Sequence, residues 1–235
     1  GEADGRPYLV MPLLSGGTLK QLIKQRGQLP WQEAVKIIIP IAEALEYAHS
    51  QGVIHRDIKP SNILLTSSAQ PMLSDFGVAK IVEDEVTQDL TGTSATVGTP
   101  EYMSPEQGLS KDVDRRADIY SLGIVFFELI TGYKPYTADT PLAVLLKQVN
   151  DPLPDPHKYL PHLPDAIAKI LYKALAKNPI HRYQNMVDFS LALKKLGIEK
   201  PSKGNSQSKK PVPKISEVLR KNFQNNKEQL EIEKE

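Results

Sequence analysis

Apolar residues recur at helical spacing over much of this chain, most clearly between Pro30 and about Ser50. Val35, Ile38, Ile41, Ala42, Leu45 and Ala48 fall at the three- and four-residue steps that line one face of a helix. Pro30 suits its first turn and Gly52 closes it. Pro40 lies inside the run, where a proline removes a hydrogen bond and costs about 3 kcal/mol, so a kink is expected there. Upstream, Thr18 followed by Gln21 is a capping-box pattern that opens a short helix over 18–26, ended by Gly27. The stretch "ADIYSLGIVFFELIT" is apolar nearly all round, which implies a helix buried in the core, with Gly132 as its stop. Further helices are expected at 140–149, 164–177 and 185–196, separated by Pro-rich connections such as "NDPLPDPHKYLPHLP".

Strand patterns are sparser. "YLVM" at 8–11 follows Pro7 and reads as a strand suited to a sheet edge. "NILLT" and "PMLSDF" suit a hairpin, although "SSAQ" between them is a weak turn signal. Residues 84–104 are rich in Thr, Ser, Gly and acids with little periodicity, the pattern of a long surface loop, and such loops are usually functional or disordered. From 198 the composition turns polar, as in "EKPSKGNSQSKKPVPK". The expected division is therefore a domain over 1–197 and a polar linker or tail over 198–235, disordered or partly helical.

Composition narrows the classes. A hydrophobic fraction of 40% and a charged fraction of 24% over 235 residues suit one globular domain with a sizeable core. The net charge of +1 gives no general case for nucleic acid or a membrane surface. The chain has no Cys, which excludes disulfides, thiolate metal sites and a cysteine nucleophile, and fits a cytoplasmic setting. The longest apolar run, "SLGIVFFELI", is too short to span a bilayer and contains Glu128.

The chemistry concentrates in "HRDIKPSN" at 55–62 and "DFG" at 75–77. Phosphoryl transfer to an alcohol needs a carboxylate to orient and deprotonate the hydroxyl, a cation near the transferred group, and a metal on the phosphates. Asp57 can be the carboxylate, and Lys59 can present an ammonium to a γ-phosphate. Asn62 and Asp75 can supply oxygens to Mg²⁺, which takes few protein ligands and keeps water and phosphate for the rest.

These motifs, with "GTPEYMSPE" and "DIYSLG" following in order, resemble the protein kinase signature set. Residues 8–196 are similar to the large lobe of bacterial-type, eukaryotic-like serine/threonine protein kinases. The resemblance implies a protein kinase-like fold, mainly α-helical with short β-hairpins, in which the small β-rich lobe is missing except for the hinge strand. It makes Asp57 the catalytic base, Lys59 the γ-phosphate contact, Asn62 and Asp75 the metal ligands, and Thr99 the partner of Asp57 and Lys59 in the substrate pocket. Met11 falls at the gatekeeper position, the Pro12 carbonyl and the Leu14 backbone face adenine, and Leu64 forms the floor of the adenine site. The implied cofactors are ATP and Mg²⁺, or Mn²⁺ in its place. Arg56 lies beneath the long loop, where a phosphothreonine gains charge-assisted bonds to arginine. Thr91 and Thr93 occupy the positions that carry such a phosphate in bacterial relatives, with Ser94 and Thr96 as lesser candidates. His55 is implied to pack near the "DFG" turn, Asp118 to brace the backbone of the catalytic loop, and Glu106 and Arg182 to form a buried ion pair. His49 reads as a core residue rather than a ligand, and His157, His162 and His181 show no metal-ligand spacing.

A complete kinase also carries a Gly-rich phosphate loop, a strand lysine and its glutamate partner, and "GEADGRP" before the hinge strand holds none of them. Two readings follow: the catalytic half of a serine/threonine kinase, poorly active alone, or a non-catalytic pseudokinase-like module or decoy for a partner kinase. The implied partners are protein substrates and a small lobe or upstream segment, and a membrane anchor would lie outside these residues.

Overall fold

The computed structural model describes residues 1–3, 6–8, 10, 14–76, 100–109 and 111–197. The predicted segments at 84–99 and 198–235, and residues Met11, Pro12, Thr91, Thr93, Ser94, Thr96 and Thr99, lie outside the described residues.

Helix α1 (Leu19–Arg26) begins at Thr18, whose Oγ1 accepts from Gln21 N–H while Gln21 Oε1 accepts from Thr18 N–H, a reciprocal capping box. Helix α2 (Trp31–Ser50) runs through Pro40 as one assigned helix and buries Ala34, Val35, Ile37, Ile38, Ile41, Ala42, Leu45 and Ala48. Helix α3 (Pro105–Gly108) is a single turn that periodicity does not announce. Helix α4 (Arg116–Thr131) has every residue from Ala117 to Thr131 buried. It stops at Gly132, which takes a left-handed conformation (φ 78°) that a side chain would disfavour. Helices α5 (Pro141–Asn150), α6 (Asp165–Ala174) and α7 (Met186–Lys194) complete the layer.

The core is built on α4. Helix α2 packs against α4 and α7, and α6 packs against α4 and α7. Ile38, Ile41, Leu45, Phe126, Phe127, Ile167, Leu171 and Phe189 meet in one fully buried cluster. A fully buried side chain of this size contributes about 1.5–3 kcal/mol, so this layer is the stable frame that carries the loops.

The sheet content is small. β1 (Glu2–Ala3) pairs antiparallel with β2 (Arg6–Pro7), and β3 (Ile63–Leu65) pairs with β4 (Pro71–Leu73) in the register Ile63↔Leu73, Leu64↔Met72, Leu65↔Pro71. The segment before α1 adds to this second hairpin: Gly16 N–H donates to Leu65 O (2.9 Å), Leu65 N–H donates to Gly17 O (2.8 Å), and Thr18 bridges Leu64. Gly16 is required by this approach, because a Cβ there would lie 2.4 Å from both Leu65 O and Thr66 O.

Three expectations need correction. Within the strand expected at 8–11, the described residues Tyr8 and Val10 are outside any strand, the pairing described lies at Glu2–Ala3 and Arg6–Pro7, and Tyr8 exchanges backbone bonds with Gly1 (2.9 and 3.0 Å). Pairing is decided by the partner, and here the partner lies upstream. The surface loop expected to reach 104 ends sooner, since Pro100, Tyr102 and Ser104 are buried. The helix expected over 164–177 ends at Ala174: the Leu175 N–H still reaches the Leu171 carbonyl, but the Ala176 N–H turns to the Lys173 carbonyl (3.4 Å), three residues back, and the Ala176 and Lys177 carbonyls accept from Arg182.

Candidate active site

The β3–β4 hairpin and the loop before it assemble the site. Pro60–Asn62 forms a 3₁₀ turn leading directly into β3, and it carries Asn62 to within reach of Asp57. Asn62 Nδ2 donates both to the Asp57 carbonyl (2.9 Å) and to Asp57 Oδ2 (3.0 Å), and Lys59 Nζ meets the same Oδ2 at 2.7 Å. Asp57, Lys59 and Asn62 are therefore brought together. The carboxylate is held from one side only: Oδ2 is engaged and Oδ1 has no bond among the described residues. The Asp57 side chain remains 34% exposed, so Oδ1 can be approached by an incoming hydroxyl.

Asp75 joins through the hairpin. Ser74 N–H and Ser74 Oγ–H both reach the Asn62 carbonyl (2.9 and 3.1 Å), and Ser74 Oγ also lies 3.0 Å from Asp75 Oδ2. Asp75 takes φ 63°, a left-handed conformation unusual for a residue with a side chain, and such strain clusters at functional sites. The free oxygens suit a hard divalent cation. Asn62 Oδ1 receives only the Ser61 hydroxyl at 3.3 Å, and Asp75 Oδ1 has no bond among the described residues. One amide oxygen and one carboxylate match an ion that keeps water and phosphate oxygens for its remaining positions. No group of three or more His, Cys, Asp or Glu suited to a metal occurs among the described residues.

The loop is braced from below by Asp118 on α4. Asp118 Oδ2 accepts from His55 N–H (2.9 Å), Oδ1 accepts from Arg56 N–H (2.9 Å), and His49 Nε2 closes on Oδ2 at 2.7 Å. His55 donates from Nε2 to Ser74 O (2.9 Å) and accepts at Nδ1 from Asp57 N–H (3.3 Å), which fixes one neutral tautomer. Its ring lies 4.8 Å from that of Phe76, tilted by 54°. Arg56 is left-handed too, at φ 64°, and no partner for its guanidinium occurs among the described residues. His49 is a core residue, as its helical position implies, but it is also a member of this brace. Its place on the buried face of α2, in the last turn before "HRD", was the available signal.

The chain beyond Thr99 is anchored into the core. Tyr102 Oη–H donates to Glu128 at 2.6 Å, and burial pushes both groups up from their ordinary values. Fully buried Gln148 donates to the Pro100 and Glu101 carbonyls (3.2 and 2.9 Å) and accepts from Tyr120 Oη–H (2.6 Å). Glu106 meets Arg182 through two bonds, 2.6 and 2.7 Å. Leu64 is half-buried, on the opposite face of β3 from buried Ile63 and Leu65, and Leu14 is half-buried just ahead of the Gly16 contact. His157 stands between Asp155 and Asp165 (3.0 and 3.3 Å), and its bond to Asp155 raises its pKa; it is remote in sequence from the loop at 55–62.

A carboxylate held by an amide and an ammonium, with a second carboxylate two residues past the end of β4, is a set of groups chemically suited to phosphoryl transfer. Residues 2–190 match the protein kinase domain, and the chain belongs to that family, among the bacterial-type, eukaryotic-like serine/threonine kinases. It is similar to a probable serine/threonine-protein kinase of Clostridium perfringens, 38% identical over 196 residues, covering 83% of this chain and 28% of that relative. A probable serine/threonine-protein kinase of Clostridium acetobutylicum is 41% identical over 184 residues (78% and 28%). Serine/threonine-protein kinase PknB of Mycobacterium tuberculosis is 39% identical over 183 residues (77% and 29%). The chain thus spans less than a third of the length of these relatives. Among the described residues no helix is long and apolar enough to cross a membrane.

Proposed function

We propose that these residues are the catalytic half of a serine/threonine protein kinase, which transfers the γ-phosphate of ATP to Ser or Thr hydroxyls of protein substrates. The observation that carries this reading is the one-sided hold on Asp57: Oδ2 is fixed by Asn62 and Lys59 while Oδ1 stays open. In this reading Oδ1 accepts the hydroxyl proton as the substrate oxygen bonds to the γ-phosphorus and the bond to the bridging oxygen of ADP breaks. Lys59 has one N–H on Asp57 and two further donors for the γ-phosphate. Mg²⁺ or Mn²⁺, when bound, neutralises charge on the phosphates, and Asn62 Oδ1 and the Asp75 carboxylate are the oxygens that would hold it. Leu64 and the backbone at Pro12 and Leu14 would receive adenine behind the gatekeeper Met11. Thr99 would complete the pocket, and phosphate on Thr91 or Thr93 would meet Arg56.

The 235 residues contain no Gly-rich loop ahead of the hinge, so the isolated chain is expected to transfer poorly. The test is phosphate transfer from Mg-ATP to a generic protein substrate by the chain and by the full product of its gene, with Asp57→Asn in both. Transfer to Ser or Thr that Asp57→Asn abolishes supports the reading. No transfer from either form would instead favour a binding module.

A further inference from the structure

The last residue of "SPEQ" is not used by the chemistry above. Gln107 occupies the third position of α3, and its two ends serve different elements. Its Oε1 accepts from Ser104 N–H and from Ser104 Oγ–H, both at 3.0 Å, which closes the helix start. Its Nε2 reaches across 51 residues of sequence and donates to the Arg56 carbonyl at 2.8 Å. The neighbouring Glu106 points the other way, into Arg182. One helical turn thus ties the segment that follows Thr99 both to the C-terminal helices and to the catalytic loop.

The acceptor is the important end. Arg56 sits at φ 64°, a conformation that a residue with a side chain holds only when its surroundings fix it. Asp118 on α4 holds its N–H, and Gln107 on α3 holds its C=O. The Arg56–Asp57 peptide plane, which contains the Asp57 Cα, is therefore held at its carbonyl by Gln107 (2.8 Å) and at its N–H by His55 Nδ1 (3.3 Å). We propose that Gln107 is a positioning residue for Asp57, coupling the placement of the base to the docking of the segment that follows Thr99. This rests on the kinase reading, and it assigns Gln107 no contact with substrate.

Gln107→Glu separates the two roles. A carboxylate keeps an oxygen for Ser104 N–H and Oγ–H, and Glu is itself a natural capping-box residue at this position. The other oxygen cannot donate and faces the Arg56 carbonyl, so only the tie to the catalytic loop is lost. Ser104→Ala is the complement: it weakens the helix start and leaves the tie in place. In the full gene product, Gln107→Glu is expected to lower kcat by about 10- to 100-fold, the effect of a misplaced catalytic group, with KM for ATP within about twofold. The thermal unfolding midpoint of Gln107→Glu should fall by only about 2–6 °C, leaving the variant folded at the assay temperature, and Ser104→Ala should keep its kcat. Hydrogen exchange of the segment 54–62 provides a second readout that needs no activity: it should quicken in Gln107→Glu and stay unchanged in Ser104→Ala. If the parent shows no transfer that depends on Asp57, the kinase reading fails while hydrogen exchange still decides the tie. Unchanged exchange at 54–62 in Gln107→Glu, or kcat within about twofold of an active parent, overturns the proposal.

Discussion

Replacing Arg182 with Met removes a group whose every donor is in use. The side chain is fully buried, and its five N–H groups are all placed. Nε donates to Ala176 O (2.7 Å). Nη1 donates to Glu106 Oε1 (2.6 Å) and Arg116 O (3.0 Å), and Nη2 to Glu106 Oε2 (2.7 Å) and Lys177 O (3.0 Å). The guanidinium also lies 4.8 Å from the centre of the Tyr120 ring. Met approximates the aliphatic stem but leaves Glu106, itself 6% exposed, charged and without its counter-ion. Breaking a buried pair from one side costs about 3–5 kcal/mol. Three carbonyls also lose a donor, and a buried acceptor without one costs about 1–3 kcal/mol where water does not replace it. The expected loss is therefore at least about 4 kcal/mol, a large part of the 5–15 kcal/mol that holds a typical domain together.

Glu106→Gln should cost a similar amount, about 3–5 kcal/mol, because it strands the buried Arg182 cation and sets an amide NH2 against one of the Nη donors that Glu106 now accepts from. The double variant tests the logic. With Glu106 already neutral, the further loss on Arg182→Met should shrink by more than about 1 kcal/mol, since no buried charge is stranded. Urea unfolding followed by the fluorescence of Trp31, the single tryptophan, measures all three midpoints. A loss below about 1 kcal/mol for Arg182→Met, or strict additivity in the double variant, would refute the reasoning.

Two further outcomes follow from geometry and charge. Gly16→Ala places a methyl 2.4 Å from two backbone oxygens that cannot yield independently, so about 1–3 kcal/mol of stability should be lost in the same assay; parent-like stability would mean that 16–18 does not pair with β3. Burial pushes the Lys177 ammonium down to about 8, with its Nζ on the Tyr136 hydroxyl (2.9 Å), over the Tyr136 ring and on the Gln148 carbonyl. A lowered folded pKa means that its contribution is complete above the unfolded value and falls away as pH drops through about 8. The stability difference between the parent and Lys177→Met should therefore move in the parent's favour from pH 7 to 9.5, and a difference flat across that range would remove burial as the dominant influence on this group.

The frame of the fold was legible because its signals are local. Helix α2 repeats its apolar positions over five turns, α1 and α7 start at residues whose side chains cap them, and α4 is apolar on every face with a glycine at its end. What escaped was set by partners. The pairing near the N-terminus depends on Gly1 meeting Tyr8, which no pattern within 8–11 encodes. Arg56 and Asp75 adopt left-handed backbone without glycine or asparagine to announce it. The capping pattern from Ser104 to Gln107 stands in the sequence, yet its second destination, a carbonyl 51 residues away, is visible only when folded.

The same distinction orders the site itself. The residue types at 57, 59 and 62 are close in sequence, so their chemistry could be inferred from spacing. Their geometry is imposed from far away: Asp118 holds His55 and Arg56 across 63 and 62 residues, and Ser74 ties to the Asn62 carbonyl across 12. Contacts of this separation form only after the intervening chain has closed, against a loop-closure entropy that grows with length. The loop at 55–62 therefore takes its geometry from α4, which is buried throughout, rather than from its own few residues. Asp118 then has a physical reason to sit in an otherwise apolar helix: a carboxylate in the rigid core can fix two backbone N–H groups and His49 at once. An aliphatic residue there would pack equally well and leave the loop beneath Asp57 without an acceptor.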